Sequence, residues 1–108
     1  RLAPLAERGF LLAAPQAPHP FYVSMEPKKV GFTWLTVYER DRAAAECIDY
    51  AERLLARLRS DFAVDESRVY LLGFSQGASV AQRIAVSGRV PIAGVVAWAA
   101  DLPPDVAE

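Results

Sequence analysis

The residue type best placed to do chemistry is Ser75, within Leu71-Leu72-Gly73-Phe74-Ser75-Gln76-Gly77-Ala78. An apolar run leads into Gly-x-Ser-x-Gly, and residues at helical spacing follow. This order holds a serine on a sharp strand-to-helix turn with its hydroxyl projecting away from the sheet. The turn strains the serine backbone, and side chains two residues to either side would collide with neighbouring backbone, which accounts for Gly73 and Gly77. A hydroxyl so placed can attack an acyl carbon, provided a general base (usually a histidine steered by a carboxylate) takes its proton. The Gln76 backbone N–H then points where an oxyanion would form, and the start of the following helix adds partial positive charge there. Only the backbone of Gln76 is needed, and its side chain is expected to be idle. The five-residue pattern alone arises by chance in many chains. Its weight depends on a strand before it and a helix after it.

The sequence to either side supplies that context. Leu2, Leu5 and Ala6 have helical spacing and Gly9 is a natural stop, so residues 1–8 read as the end of a helix. Phe10–Ala14 is a continuous apolar run closed by Pro15, the pattern of a strand buried on both faces of a parallel sheet. Residues 15–38 contain Pro15, Pro18, Pro20 and Pro27 among Phe21, Tyr22, Phe32 and Trp34. They read as a long loop, either a pocket wall or a surface loop pinned by aromatic residues.

From 40 to 60, Ala44, Cys47, Ile48, Ala51, Leu54, Leu55 and Leu58 make one helical stripe. Asp49 and Arg53 form a favourable i, i+4 pair on the opposite face. Cys47 lies on the stripe and reads as a small core residue. A strand at 69–73, a helix at 76–87 and a strand at 92–99 complete the order. Such alternation predicts an α/β fold, a mainly parallel sheet of three strands with helices on both faces. The serine thus has the strand and the helix its motif requires.

Composition bounds the function class. The chain has 108 residues, 53% hydrophobic, enough for one small domain. Twelve basic and 13 acidic residues give a net charge of -1, which offers no electrostatic basis for binding nucleic acid. No apolar run approaches the ~20 residues of a membrane span. A lone Cys47 cannot form an internal disulfide and suits a reducing compartment, so a cytoplasmic location is expected. The start at Arg1 and the lack of a closing element after residue 101 read as cut ends.

The catalytic partners are harder to find. His19 is the only histidine and precedes Ser75, whereas Gly-x-Ser-x-Gly enzymes of this type run Ser, then Asp or Glu, then His. A structural or solvent contact is the better reading of His19. Asp101 and Asp105 come directly after the next strand and read as pocket-rim or turn residues.

The stretch 65–78, Asp-Glu-Ser-Arg-Val-Tyr-Leu-Leu-Gly-Phe-Ser-Gln-Gly-Ala, resembles the nucleophile segment of the phospholipase/carboxylesterase family of α/β-hydrolases. Ala14-Pro15-Gln16-Ala17-Pro18 resembles that family's proline-marked loop, Gly31-Phe32-Thr33-Trp34 its Gly-x-x-Trp element, and Ala99-Ala100-Asp101-Leu102-Pro103 its pocket-edge segment. The resemblance implies a partial α/β-hydrolase fold over residues 1–108 and hydrolysis of a small carboxylic ester, lysophospholipid or thioester through an acyl-Ser75 intermediate. It implies no cofactor and no metal. By similarity Ser75 is the nucleophile, Gln76 supplies an oxyanion-hole N–H, and Phe32, Trp34 and Leu102 line the substrate pocket. The family's upstream His-Gly motif and its triad Asp and His have no counterpart here, so the isolated chain is expected to be inactive. The family's sheet order would also leave strands 10–14 and 69–73 about 10 Å apart, twice the usual spacing, or have them close up and pair non-natively.

Two other readings stand beside this one. A non-catalytic α/β-hydrolase-like domain that binds a ligand or partner would explain the missing base. A doubly wound nucleotide-binding domain needs a glycine-rich phosphate loop after its first strand, where this chain has Pro15. Oligomeric state is left open.

Overall fold

The computed structural model describes residues 2–107, so Arg1 of the expected helix end and Glu108 lie outside the described residues. Helix α1 (Ala3–Glu7) ends as its sequence predicts. Gly9 takes φ 86°, the Gly9 N–H donates to the Ala6 carbonyl at 3.1 Å and the Phe10 N–H to the Leu5 carbonyl at 3.2 Å. These are the paired bonds of a Schellman stop, which needs a left-handed residue at Gly9.

The next segment departs from expectation. Residues 10–14 form no strand, and Phe10, Leu11 and Leu12 are exposed. A two-sided parallel strand is stable only with ladder partners beside it. Among the described residues the one ladder partner of β3 (Tyr70–Phe74) is β4 (Gly94–Trp98), and Phe10 makes an edge-to-face contact with Tyr70 of β3 at 6.5 Å. Residues 15–38, expected as loop, contain a hairpin instead: β1 (His19–Met25) pairs antiparallel with β2 (Lys28–Thr33). Pro20 sits at the second residue of β1 and Pro27 in the turn, so neither occupies the middle of a paired strand.

Helix α2 (Arg40–Asp61) and helix α3 (Gln76–Val86) occupy the regions their spacing predicts. A short 3₁₀ turn, Glu66–Arg68, then leads into β3. β3 and β4 pair in parallel, Leu72 opposite Val96 and Phe74 opposite Trp98. The sheet expected with three parallel strands therefore has two, beside a separate antiparallel pair.

The core joins Leu35, Ala43, Cys47, Leu55, Val80, Ile84 and Val90, with Leu71 and Ile92 packed against it. Helices α2 and α3 thus share one side of the β3–β4 sheet rather than flanking it. The other face leaves Tyr70, Leu72, Phe74, Val96 and Trp98 exposed. Helix α2 is tied to the segment after α3 by Arg89, which pairs with Asp49 at 2.6 Å and with Glu52. This corrects the expected Asp49–Arg53 pair: Arg53 Nε reaches only the Asp49 backbone carbonyl, at 3.4 Å. The Asp49 carboxylate is taken by a partner distant in sequence.

Cys47 is buried, and its Sγ donates to the Trp34 carbonyl at 3.4 Å. Burial first, and the neighbouring Glu46 charge second, push its thiol above the ordinary value. Little thiolate therefore exists near neutral pH. Iodoacetamide at pH 7.5 is expected to alkylate Cys47 at least tenfold faster in urea-unfolded than in native protein. Equal rates would place the thiol at the surface.

Candidate active site

The site is built where β3 stops. Phe74 is its last residue, Ser75 takes φ 52° and ψ −120°, and α3 begins at Gln76. That dihedral pair matches the first central position of a type II′ turn, which glycine adopts freely and serine does not. The surroundings hold it in place. The Ser75 N–H donates to the Trp98 carbonyl at 2.8 Å, so the end of β4 anchors the turn from one side. The Ser75 carbonyl accepts from the Ala78 and Ser79 amides at 3.0 and 3.3 Å, closing the first turn of α3. Ser75 is the N-cap residue, yet its hydroxyl makes no capping bond, and the residue is exposed. A capping position normally uses a serine hydroxyl. Here the hydroxyl is left to solvent.

The two glycines have different jobs. A Cβ on Gly73 would run into the Gly77 carbonyl group and stand 2.5 Å from Ala78 Cα, so β3 and the first turn of α3 touch backbone to backbone. A Cβ on Gly77 would meet nothing within 4 Å. The expectation that both glycines avoid a collision therefore holds for Gly73 only.

Gln76 departs from expectation as well. Its side chain, expected to be idle, bridges to the segment that follows β2. Gln76 Oε1 accepts from the Trp34 N–H at 2.8 Å and from Thr33 Oγ1 at 2.9 Å, and Nε2 donates to the Leu35 carbonyl at 3.3 Å. The single Thr33 hydroxyl proton is shared, since Thr33 Oγ1 also lies 2.9 Å from the Leu35 carbonyl. No local pattern announces these contacts, because the partners are more than 40 residues apart. The Gln76 and Gly77 amides belong to the helix's first turn, where N–H groups have no intrahelical acceptor.

The remaining candidates scatter around this turn. Phe32 is exposed on β2, opposite Pro20. Trp34 packs against the core and tilts onto Tyr50 at 6.1 Å, which places its ring in the scaffold beside the site. Leu102 is exposed between β4 and α4 (Pro104–Ala107). Two shallow surface depressions are lined by Asp49, Glu52 and Arg53 of α2 with Arg89, and by Tyr50, Arg53 and Leu54 of α2. Neither includes Ser75.

His19 lies on β1 opposite Thr33, with Nε2 buried and unpartnered. No hydrogen bond connects it to Ser75 among the described residues. Asp105 is engaged elsewhere: Arg83, nearly buried on α3, donates Nε to its Oδ2 at 2.8 Å and Nη2 to its Oδ1 at 2.6 Å. This bidentate pair pins α4 to α3 and engages both Asp105 oxygens, and no hydrogen bond joins Asp105 to His19 among the described residues.

The Arg83 hydrogen bonds, first among the causes, also hold the Asp105 carboxyl below its ordinary value. A carboxyl whose folded pKa is depressed contributes stability above its unfolded value of about 3.9 and loses it as pH falls through the folded value. Asp105→Asn is therefore expected to lower Tm at pH 7 and to narrow the Tm difference between pH 7 and pH 3. An unchanged difference would show that the pair does not survive in solution.

Residues 9–107 match the phospholipase/carboxylesterase family, and the chain belongs to that family of α/β hydrolases. The matched span includes β3, the Ser75 turn, α3 and β4. No curated protein and no solved structure matches the chain. No helix among the described residues is long and apolar enough to cross a membrane.

Proposed function

We propose that Ser75 is the nucleophile of a carboxylic ester hydrolase acting on a small ester, thioester or lysophospholipid. The observation that carries the proposal is the conformation of Ser75: a strained residue at a helix N-cap whose exposed hydroxyl does no capping. Strain of this kind persists only when the surroundings enforce it, and it concentrates at functional sites.

In the proposed reaction Ser75 Oγ attacks the acyl carbon while a general base takes its proton. The carbonyl oxygen becomes an oxyanion facing the Gln76 N–H. Collapse expels the alcohol or thiol, which receives the proton, and leaves an acyl-Ser75 ester. Water then attacks the same carbon, returning the acid and the free serine. The base and its carboxylate are assigned to neither His19 nor Asp105, so the 108 residues alone are proposed to turn over substrate poorly. Phe32 and Leu102 remain candidates for contact with the acyl or leaving group.

A fluorophosphonate probe tests the assignment, because it phosphonylates only a serine that is both activated and exposed. In the full natural chain the adduct mass is expected on the peptide containing Ser75 and is lost in Ser75→Ala. An unlabelled Ser75 would favour the second reading, a hydrolase-like domain that binds without catalysis. The observation on that side is that no histidine or carboxylate is hydrogen-bonded to the Ser75 hydroxyl among the described residues.

A further inference from the structure

We infer that the Gln76 side chain is a positioning residue that fixes the direction of its own backbone N–H by clamping it to the Thr33–Leu35 segment. The inference rests on Ser75 being the nucleophile and deepens that reading. The peptide plane between Ser75 and Gln76 carries the N–H assigned to the oxyanion, and its direction is set by the Ser75 ψ of −120°. This torsion lies outside the ordinary wells of an L-residue, so something must oppose its relaxation. On the Ser75 side the restraint is the 2.8 Å bond from its N–H to the Trp98 carbonyl. On the Gln76 side the Ser75 carbonyl, which shares this peptide plane, accepts from the Ala78 and Ser79 amides at 3.0 and 3.3 Å, but the Gln76 N–H itself has no intrahelical acceptor.

The Gln76 side chain adds a further restraint, from outside α3. Its Oε1 takes the Trp34 N–H and the Thr33 hydroxyl, and its Nε2 returns a bond to the Leu35 carbonyl. An amide offering acceptor and donor to consecutive residues of one segment can sit in one orientation only, so glutamine is favoured over glutamate or methionine here. The segment it grips is itself anchored: Leu35 is buried, Trp34 packs on the core, and the Trp34 carbonyl accepts from Cys47 Sγ at 3.4 Å. The clamp thereby ties the turn to α2 through the core. Preorganised donors are effective because they need no reorientation as charge develops.

The test compares Gln76→Met, which keeps length and backbone but loses every side-chain bond, with Gln76→Glu, which keeps the acceptor and loses the donor. Two measurements on the full natural chain separate the clamp from the nucleophile assignment. Amide exchange at Trp34 is expected to accelerate at least tenfold in Gln76→Met and less in Gln76→Glu, because the Trp34 N–H has Gln76 Oε1 as its acceptor. Unchanged exchange overturns the clamp whatever Ser75 does. With p-nitrophenyl acetate, kcat is expected to fall about 10- to 100-fold in Gln76→Met with KM within about twofold, short of the ~10²–10³ lost when an oxyanion donor is removed outright. Gln76→Glu is expected to fall between wild type and Gln76→Met. Faster exchange at Trp34 with unchanged kcat overturns the positioning role. Absence of Ser75 labelling in the wild type overturns the nucleophile reading, and the positioning role with it.

Discussion

Gly73→Ala is expected to prevent folding or to lower stability by about 3 kcal/mol or more, while Gly77→Ala is expected to be tolerated. The added methyl at 73 would overlap the Gly77 carbonyl and the Ala78 Cα, and neither is the movable end of a side chain. Relief requires β3 and α3 to separate. Ordinary overpacking of a core costs about 1–3 kcal/mol because side chains can give, and a clash between two backbones belongs at or above the top of that range. Small domains have only about 5–15 kcal/mol in total. At Gly77 the methyl enters open space, and alanine gains up to about 1 kcal/mol over glycine within a helix. Urea midpoints of the two variants against wild type decide the matter. A Gly73→Ala midpoint equal to wild type would mean that the strand and helix do not meet as closely as the structure places them. The pair of variants also separates two roles that the sequence pattern treats alike.

What could be read from the sequence follows from how local each signal is. Helices α2 and α3 carry their apolar stripes within their own residues, and β3 carries its apolar run beside the glycine-flanked serine. Gly9 marks the end of α1 because a left-handed residue is needed there. The apolar run Phe10–Ala14 carries as strong a strand signal as β3, yet it forms none. Its pattern reports suitability for burial, whereas a strand also needs a partner edge, which no property of those five residues supplies. The hairpin failed in the opposite sense. Phe21, Val23 and Met25 alternate with Tyr22 and Ser24, yet Pro20 and Pro27 mask the pattern, because a proline's place in the register is unknown until the register is. In the site, the turn and its serine were legible because the motif is contiguous. The Gln76 contacts to Thr33, Trp34 and Leu35 were not, and neither was Arg83–Asp105, since each joins residues whose proximity exists only after folding.

If Ser75 is held in strain for chemistry, replacing it should separate activity from stability in a way that depends on the replacement. Ser75→Ala and Ser75→Gly are both expected to abolish ester turnover in the full natural chain, a loss on the order of 10⁶ in kcat by comparison with other serine hydrolases stripped of their nucleophile. Their stabilities should differ. Alanine at φ 52° and ψ −120° suffers the same clash of Cβ with backbone as serine, and the hydroxyl it removes makes no cap bond, so Ser75→Ala should leave stability nearly unchanged. Glycine adopts these dihedrals freely, so Ser75→Gly should stabilise the protein by up to about 1–3 kcal/mol, the strain held by one residue in a sparsely populated region. The gain is reduced by the extra chain entropy that glycine carries in the unfolded state. Denaturant titration of the three proteins beside their p-nitrophenyl ester turnover gives both quantities. A Ser75→Gly variant no more stable than Ser75→Ala would mean that the turn is unstrained and that its unusual torsions have no bearing on function. Turnover that survives both substitutions would move the nucleophile elsewhere. A stable, inactive Ser75→Gly variant is the outcome expected of a nucleophile held in its turn against the local preference of its own backbone.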